Sequence, residues 1–270
     1  MFWVRKGSSI SVNAVRYQTS GLGRNASMDE TMYDRFLRIP GADQGALERA
    51  RIVVIGCGGL GGEVSVGLAR KGVGSLTLVD HDVVELSNLA RQQFGINDVG
   101  HNKALALAAN LKGQATGRSF IQAYATSFQH ALEQGFDVEG DIMVIGVDNS
   151  PTRLAAAHYC LENRAPAIFL AVDDQAAKGY VFVQTSKSGD ACFACLYPNA
   201  SEDRQVHGCA GASIEILKAA AGIALYAVDS LLMPRPRPWN FKTLFLDVHG
   251  DGARQVAPSL DCPLCGGHAA

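Results

Sequence analysis

The chain has 270 residues, of which 47% are hydrophobic and 19% charged, and its formal net charge is −2. These values are typical of a soluble globular protein with room for one large α/β domain. The near-neutral charge argues against nucleic acid or an anionic membrane as a partner, and no apolar run is long enough to span a bilayer.

Residues 1–28 differ in composition from the rest of the chain. They contain four basic residues, several serines and no acidic residue, which is the composition of an organelle transit peptide. A disordered basic tail and a start codon assigned upstream of Met28 are the alternatives. Because no apolar face is evident in this segment, we expect a disordered tail on a cytoplasmic protein.

From residue 51 to residue 172, short apolar runs alternate with helical patterns. A short β-branched run that ends in glycine is typical of a buried parallel strand, as at 52–55, and we predict further strands at 75–79, 119–125, 141–146 and 167–172. The stretches between them predict helices at 62–70, 103–111 and 152–163. This alternation predicts a doubly wound, mostly parallel sheet of the Rossmann type.

The pattern changes after residue 176. We predict an antiparallel strand at 178–185, a cysteine-bearing loop, an apolar helix at 213–233 and a final strand at 241–248. Residues 29–270 would then form one domain, with a nucleotide-binding part at 51–172 and an antiparallel, zinc-stapled elaboration at 176–268.

The first predicted strand runs directly into a glycine loop. Gly56, Gly58 and Gly61 form the G-x-G-x-x-G pattern, in which backbone N–H groups at a helix start hold a nucleotide. Asp80 ends the next predicted strand, where such folds place an acid for ribose hydroxyls. These two features alone also fit an NAD-dependent oxidoreductase, although the chain has no separate substrate domain with an acid–base residue.

The segment after Asp80 adds groups for which a dinucleotide site has little use. Ser87-Asn88-Leu89-Ala90-Arg91 supplies an amide and a guanidinium, and a guanidinium can hold phosphate oxygens bidentately. A surface Asp–Arg pair is the alternative for any one of these residues taken alone.

Asp148 and Asn149 follow the strand predicted at 141–146. They should therefore lie at the same sheet edge as Gly58 and Asp80. A carboxylate beside nucleotide phosphates is a natural Mg²⁺ ligand. Arg153, at the start of the next helix, could instead pair with Asp148.

Two C-x-x-C pairs, Cys192/Cys195 and Cys262/Cys265, lie in the C-terminal part of the chain. Four thiolates with this spacing fit a closed tetrahedral zinc site, which contributes folding energy and no chemistry. Two independent redox pairs are the alternative, but neither opens a thioredoxin-like βαβ pattern.

Three cysteines remain. Cys209 precedes the predicted helix at 213–233, whose dipole would favour a thiolate; a small buried apolar residue is the alternative. Cys57 and Cys160 are expected to be packing residues.

In combination, these motifs resemble the ThiF/MoeB/HesA family, bacterial relatives of ubiquitin-activating enzymes. The resemblance covers residues 33–266 and is carried by Tyr33-Asp34-Arg35, the glycine loop, the run from Val79 to Gln92, Lys103, the run from Asp148 to Arg153 and the paired C-x-x-C motifs.

The resemblance implies an adenylyltransferase that uses Mg-ATP to activate the C-terminal glycine carboxylate of a ubiquitin-like sulfur-carrier protein ending in Gly-Gly. The pathway would be thiamine or molybdopterin synthesis or a related sulfur transfer. Sulfur would come from a persulfide on a donor such as a cysteine desulfurase.

The resemblance also implies a role for each candidate residue. Nucleotide contacts are expected from Gly56, Gly58, Gly59, Gly61, Asp80, Ser87, Asn88, Leu89, Ala90, Arg91, Lys103, Asp148 and Asn149. Asp80 would bind the ribose, Lys103 the phosphates and Asp148 the Mg²⁺. Arg35 would reach the ATP of the partner subunit in a homodimer. Cys209 falls on the reactive cysteine of the family, and Cys192, Cys195, Cys262 and Cys265 take the Zn²⁺ positions.

The chain departs from the family pattern at three positions. Met32 stands where an arginine often precedes the tyrosine, and Phe36 where a glutamine often follows the arginine. Both changes bear on dimer or phosphate contacts. Ala157 stands where asparagine is usual, which bears on substrate positioning.

Two other functions compete with this interpretation. Relatives adenylate a peptide or a modified tRNA base, and fold alone does not exclude either; the mild acidity and the retained cysteines disfavour tRNA. A non-catalytic nucleotide-binding adaptor is disfavoured by intact Arg35, Arg91, Lys103 and Asp148.

Overall fold

The computed structural model describes residues 14–18, 32–114, 119–200, 211–248, 250 and 252–266, the first of these ranges by its backbone alone. Within these ranges nine strands form one sheet, in the spatial order β1-β4-β3-β2-β5-β6-β7-β8-β9. Their bounds are β1 Ala14–Gln18, β2 Arg51–Ile55, β3 Ser75–Val79, β4 Phe120–Tyr124, β5 Ile142–Ile145, β6 Ala167–Val172, β7 Lys178–Gln184, β8 Phe241–Phe245 and β9 Gly252–Arg254.

The five central strands, β2 to β6, run parallel, and β1 and β7 to β9 pair antiparallel with their neighbours. The predicted mixed α/β sheet with a parallel centre is therefore confirmed. The strand β1 lies in the segment for which we expected a disordered tail. Its backbone pairs with β4, with Ala14 opposite Tyr124.

Eight α-helices occur in the part of the chain that the structure describes. They are α1 Asp34–Leu37, α2 Gln44–Arg49, α3 Gly59–Lys71, α4 Lys103–Lys112, α5 Phe128–Glu133, α6 Ser150–Glu162, α7 Phe193–Leu196 and α8 Ile214–Leu232. The sequence does not predict α1, α2, α5 and α7, because helices of four to six residues are too short to show helical periodicity. None of the described helices has the length and apolar character to cross a membrane.

Helices cover both faces of the sheet, as the doubly wound prediction requires. Along β2, alternate side chains enter different cores, because successive residues of a strand point to opposite faces. Ile52 and Val54 pack with residues of α3, α4 and α8, whereas Val53 and Ile55 pack with residues of α5, α6 and α7.

The sheet order reverses beside β2, which pairs with β3 on one side and with β5 on the other. Crossovers from these strands diverge to opposite sides, so a crevice opens at the carboxyl ends of β2 and β5. This crevice positions the candidate site.

Candidate active site

A cavity of about 1380 Å³ occupies this crevice. The residues that follow each of the five parallel strands contribute to its wall, namely Gly56 after β2, Asp80 after β3, Thr126 after β4, Asp148 after β5 and Asp173 after β6. Backbone N–H groups, acids and cations therefore converge on one site, as the sequence motifs predict.

The glycine loop forms the cavity wall at the start of α3. Gly56, Gly58 and Gly59 line the cavity, and Gly58 is the N-cap residue of the helix. The first N–H groups of α3 have no partner inside the helix, so they and the helix dipole suit a phosphate. Gly56 has φ +86°, which favours glycine.

Gly61 has a different role from the other loop glycines, because it does not line the cavity. A Cβ on Gly61 would overlap the carbonyl oxygen of Gly56. Gly61 therefore allows the first turn of α3 to approach the loop and β5 closely.

Asp80 connects two parts of the cavity wall. Its Oδ2 accepts a hydrogen bond from the N–H of Cys57 (2.6 Å) and its Oδ1 from the N–H of Asp82 (2.8 Å). Burial raises the pKa of the Asp80 carboxyl, and the two N–H donors oppose that rise. The carboxylate thus fixes the glycine loop relative to β3 while facing the cavity.

After β3, Asp80, His81 and Asp82 line the cavity, and the run from Ser87 to Gln92 then presents only its last two residues to it. Arg91 and Gln92 line the cavity, whereas Ser87, Asn88, Leu89 and Ala90 do not. Asn88 is 3% exposed, and its Oδ1 accepts from the N–H of Glu85 (3.0 Å). Arg91 Nη1 donates to the carbonyl oxygen of Ser87 (2.7 Å), so these neighbours hold the guanidinium in place.

Lys103 lies at the N-terminus of α4 and lines the cavity. It is 7% exposed, and its Nζ donates to Asp82 Oδ2 at 2.9 Å. The ion pair holds the ammonium in the wall, and an anionic ligand would compete with Asp82 for it.

Asp148 and Asn149 lie at the start of α6. Asp148 is exposed and lines the cavity, and Asn149 also contributes to the wall. Asn149 Oδ1 accepts from the N–H of Thr152 (2.9 Å) as the N-cap of α6. A carboxylate at this point of the wall suits a hard cation such as Mg²⁺.

The alternative to a metal role for Asp148, an ion pair with Arg153, is not formed. Arg153 is 7% exposed, and its guanidinium donates to the carbonyl oxygen of Leu170 (2.9 Å), to that of Val147 and to Tyr180 Oη (2.8 Å). Arg153 therefore ties the ends of β5, β6 and β7 together and leaves the Asp148 carboxylate to the cavity.

Arg35 lies outside the cavity. It is exposed on α1, and within the described ranges no hydrogen bond or ion pair holds its guanidinium. Its neighbour Phe36 packs under Lys71, the last residue of α3. Since α3 has 13 residues, about 18 Å of helix separates Lys71 from the glycine loop.

Several cavity residues have no counterpart among the predicted ones. Asp173 directly follows β6 and Thr126 comes two residues after the end of β4, a signal that the sequence contains. Tyr180, Tyr197 and Asn199 form a further part of the wall, and only folding of the C-terminal part brings them there.

The four cysteines of the C-x-x-C pairs meet in one cluster, with their sulfur atoms within 4.8 Å of one another. Sγ–Sγ distances are 3.7 Å for Cys192–Cys195 and 3.5 Å for both Cys192–Cys262 and Cys195–Cys265. A disulfide would need about 2.05 Å, whereas Zn–S bonds of about 2.3 Å set tetrahedral sulfurs roughly 3.8 Å apart. The cluster therefore fits a zinc ion.

The three cysteines outside this cluster are Cys57, Cys160 and Cys209. Cys57 and Cys160 are fully buried, and burial raises the pKa of both thiols, that of Cys160 to about 12. Both are therefore protonated and suited to packing. Cys209 lies outside the described residues.

Comparisons with known proteins agree on one family. The sequence matches the ThiF family over residues 33–259. It is 32% identical over 255 residues to the SAMP-activating enzyme E1 of Haloferax volcanii, covering 89% of this chain and 91% of that protein. It is 30% identical over 233 residues to the sulfur carrier protein adenylyltransferase of Thermus thermophilus, covering 83% and 84%.

A larger relative and a solved structure complete the comparison. The mouse adenylyltransferase and sulfurtransferase MOCS3 is 32% identical over 262 residues, and the match covers 89% of this chain but only 54% of MOCS3. The crystal structure of Escherichia coli MccB with ATP superposes with a TM-score of 0.70 at 24% identity, covering 83% of this chain and 68% of MccB.

Proposed function

The chain belongs to the ThiF family, and on that premise we propose that it adenylates the C-terminal glycine carboxylate of a ubiquitin-like sulfur-carrier protein with ATP. One observation carries the proposal: the glycine loop, Asp80, Arg91, Lys103 and Asp148 line a single cavity at the switch point of the sheet. The named activities of the Haloferax and Thermus relatives support the carrier as acceptor.

The chemistry needs charge neutralisation more than proton transfer. The carrier carboxylate is already ionised, so its oxygen attacks the α-phosphorus without a general base. The P–O bond to the β-phosphate breaks, and pyrophosphate leaves with the electron pair. The N-terminus of α3, Arg91 and Lys103 would stabilise the charge that develops on the phosphates and hold them for in-line attack.

Two metals fit this proposal in different ways. Asp148 would hold Mg²⁺, which supplies further charge neutralisation at the phosphates when bound. The cysteine cluster would hold Zn²⁺ as a structural site that ties the end of the chain to the loop carrying α7.

The test is exchange of labelled pyrophosphate into ATP by the full chain, with and without a ubiquitin-like carrier ending in Gly-Gly. We expect exchange only when the carrier and Mg²⁺ are both present. No exchange with any such carrier would overturn the proposal. If a short peptide alone drove the exchange, the acceptor would be a peptide and not a carrier protein.

The working unit would be a homodimer in which Arg35 serves the partner subunit. Some 18 Å of α3 separates Arg35 from the glycine loop of its own chain. Met32, Leu37 and Ile39 around it are 65%, 49% and 40% exposed, which suits contact with a second copy.

Heterodimers of two inactive variants test this arrangement. An Arg35→Ala/Asp148→Ala heterodimer, purified through two different tags, contains one intact site and one doubly damaged site if Arg35 acts in trans. We therefore expect exchange at about half the wild-type rate, with both variant homodimers at least 10-fold slower. If Arg35 acts in its own subunit, every site carries one defect and the heterodimer stays inactive.

Cys209 would act after adenylation, in sulfur transfer from a donor such as a cysteine desulfurase. We expect Cys209→Ala to leave pyrophosphate exchange unchanged and to stop formation of the carrier thiocarboxylate, which mass spectrometry of the carrier measures. Unchanged thiocarboxylate formation would assign Cys209 a structural role.

A further inference from the structure

A buried charged cluster lies at the end of α3 that is remote from the cavity. Lys71 Nζ is 2.9 Å from Asp229 Oδ1, and Arg235 Nη1 is 2.5 Å from Asp229 Oδ2. Asp229, on α8, is 2% exposed. We call Lys71, Asp229, Arg235 and Phe36 the α1 anchor.

The α1 anchor contacts α1 through the aromatic ring of Phe36. The Lys71 ammonium lies 4.7 Å from the centroid of the Phe36 ring, within range of a cation–π interaction. Tyr33, the N-cap residue of α1, packs its hydroxyl against Gly72, where an added Cβ would overlap it. A four-residue helix is not stable by itself, so the position of α1 depends on these contacts.

The ion pair fixes the position of the ammonium. A buried ion pair contributes little net stability, because desolvation offsets the attraction. Asp229 nevertheless holds Lys71 between α3 and α8, and the cation at the end of α3 also suits the helix dipole. The ammonium also faces the Phe36 ring, at the position where the family often has glutamine.

We infer that the α1 anchor positions Arg35, the residue next to Phe36, for the nucleotide site of the partner subunit. The inference rests on the proposed function. Lys71 and Phe36 are positioning residues under this inference, and they touch neither nucleotide nor carrier.

Lys71→Met tests the inference, because it removes the ammonium but keeps an unbranched stem of nearly the same length and leaves Asp229 paired with Arg235. We expect kcat for carrier-dependent exchange to fall about 10-fold, since a small displacement of a positioned charge is costly. KM for ATP should stay near the wild-type value, because each subunit binds ATP with its own glycine loop.

Heterodimers then identify the site that Lys71 serves. If Lys71 acts through Arg35, the Lys71→Met/Asp148→Ala heterodimer regains about half the wild-type rate, and the Lys71→Met/Arg35→Ala heterodimer does not. If Lys71 instead acts along α3 on its own glycine loop, the two results are reversed, which overturns the inference. Wild-type kcat in the Lys71→Met homodimer also overturns it.

Two further variants serve as controls for the Lys71→Met result. Lys218→Met removes a lysine–carboxylate pair that also joins α8 to α3, with Lys218 Nζ 3.1 Å from Glu63 Oε2, but does not touch α1; we expect wild-type kcat. An equal loss of kcat in Lys218→Met would mean that breaking any ion pair between α3 and α8 lowers the activity, and it would overturn the inference. If Lys71→Met does not fold, Phe36→Leu removes the ring, keeps the ion pair and should give the same heterodimer pattern.

The failures of the two proposals are distinguishable. Absence of exchange in the wild type overturns the proposed function. An inactive Arg35→Ala/Asp148→Ala heterodimer overturns the trans arrangement and this inference with it. If the Arg35→Ala/Asp148→Ala heterodimer is active but the two Lys71→Met heterodimers show the reversed results, only the inference about the α1 anchor is overturned.

Discussion

Asp148→Ala should slow carrier-dependent pyrophosphate exchange by at least about 100-fold, because removing one preorganised electrostatic group from a transition state typically costs that much. Asp148 is exposed to the cavity, three residues after the end of β5. Its loss would remove the carboxylate that we propose as the Mg²⁺ ligand beside the phosphates. The measurement is the initial rate of label transfer from pyrophosphate to ATP at saturating carrier and Mg²⁺.

Asp141→Ala is the matched control for this variant. Asp141 precedes β5 at the opposite edge of the sheet, where its Oδ1 lies 3.2 Å from Arg51 Nη2 at the surface. An exposed pair of this kind contributes about 1 kcal/mol or less to stability, so the exchange rate should match that of the wild type. An Asp148→Ala enzyme that retained the wild-type rate would remove Asp148 from the mechanism.

Cys262→Ser should abolish zinc binding and lower the free energy of unfolding by about 4 kcal/mol or more, as loss of a structural metal belongs to the most destabilising changes. For a domain of this size the expected fall in Tm is roughly 10 °C. Cys262 and Cys265 meet Cys192, the N-cap residue of α7, and Cys195, within α7. Thermal unfolding and the zinc content of purified protein measure the effect.

Cys160→Ala separates the loss of a metal ligand from the loss of a buried thiol. Cys160 is fully buried in α6, outside the cysteine cluster. We expect a loss of about 1 kcal/mol, typical of a small core substitution, and unchanged zinc content. A Cys262→Ser protein with wild-type Tm and one zinc per chain would contradict the zinc assignment. At temperatures below its Tm, the Cys262→Ser protein should keep its exchange activity.

The glycine loop and the strands around it are strongly encoded in the sequence. Ser75–Val79 and Ala167–Val172 have the predicted bounds, because buried parallel strands appear as short apolar runs with clear ends. The helix predicted at 62–70 begins earlier, at Gly59. Three of its first four residues are glycines, whose low helix propensity conceals a helix start that a phosphate site requires.

The sequence by itself determined the parallel sheet, the edge at which the site lies and the residue types that meet there. Apolar periodicity reports burial, and the ends of parallel strands share one edge, so both can be derived from local patterns. Tertiary structure alone decided which group each polar side chain contacts. Arg153 binds the carbonyl oxygens of Val147 and Leu170 rather than Asp148, and Lys71 pairs with Asp229, 158 residues away. Such contacts depend on how helices and strands pack in three dimensions, and no local pattern in the chain records that.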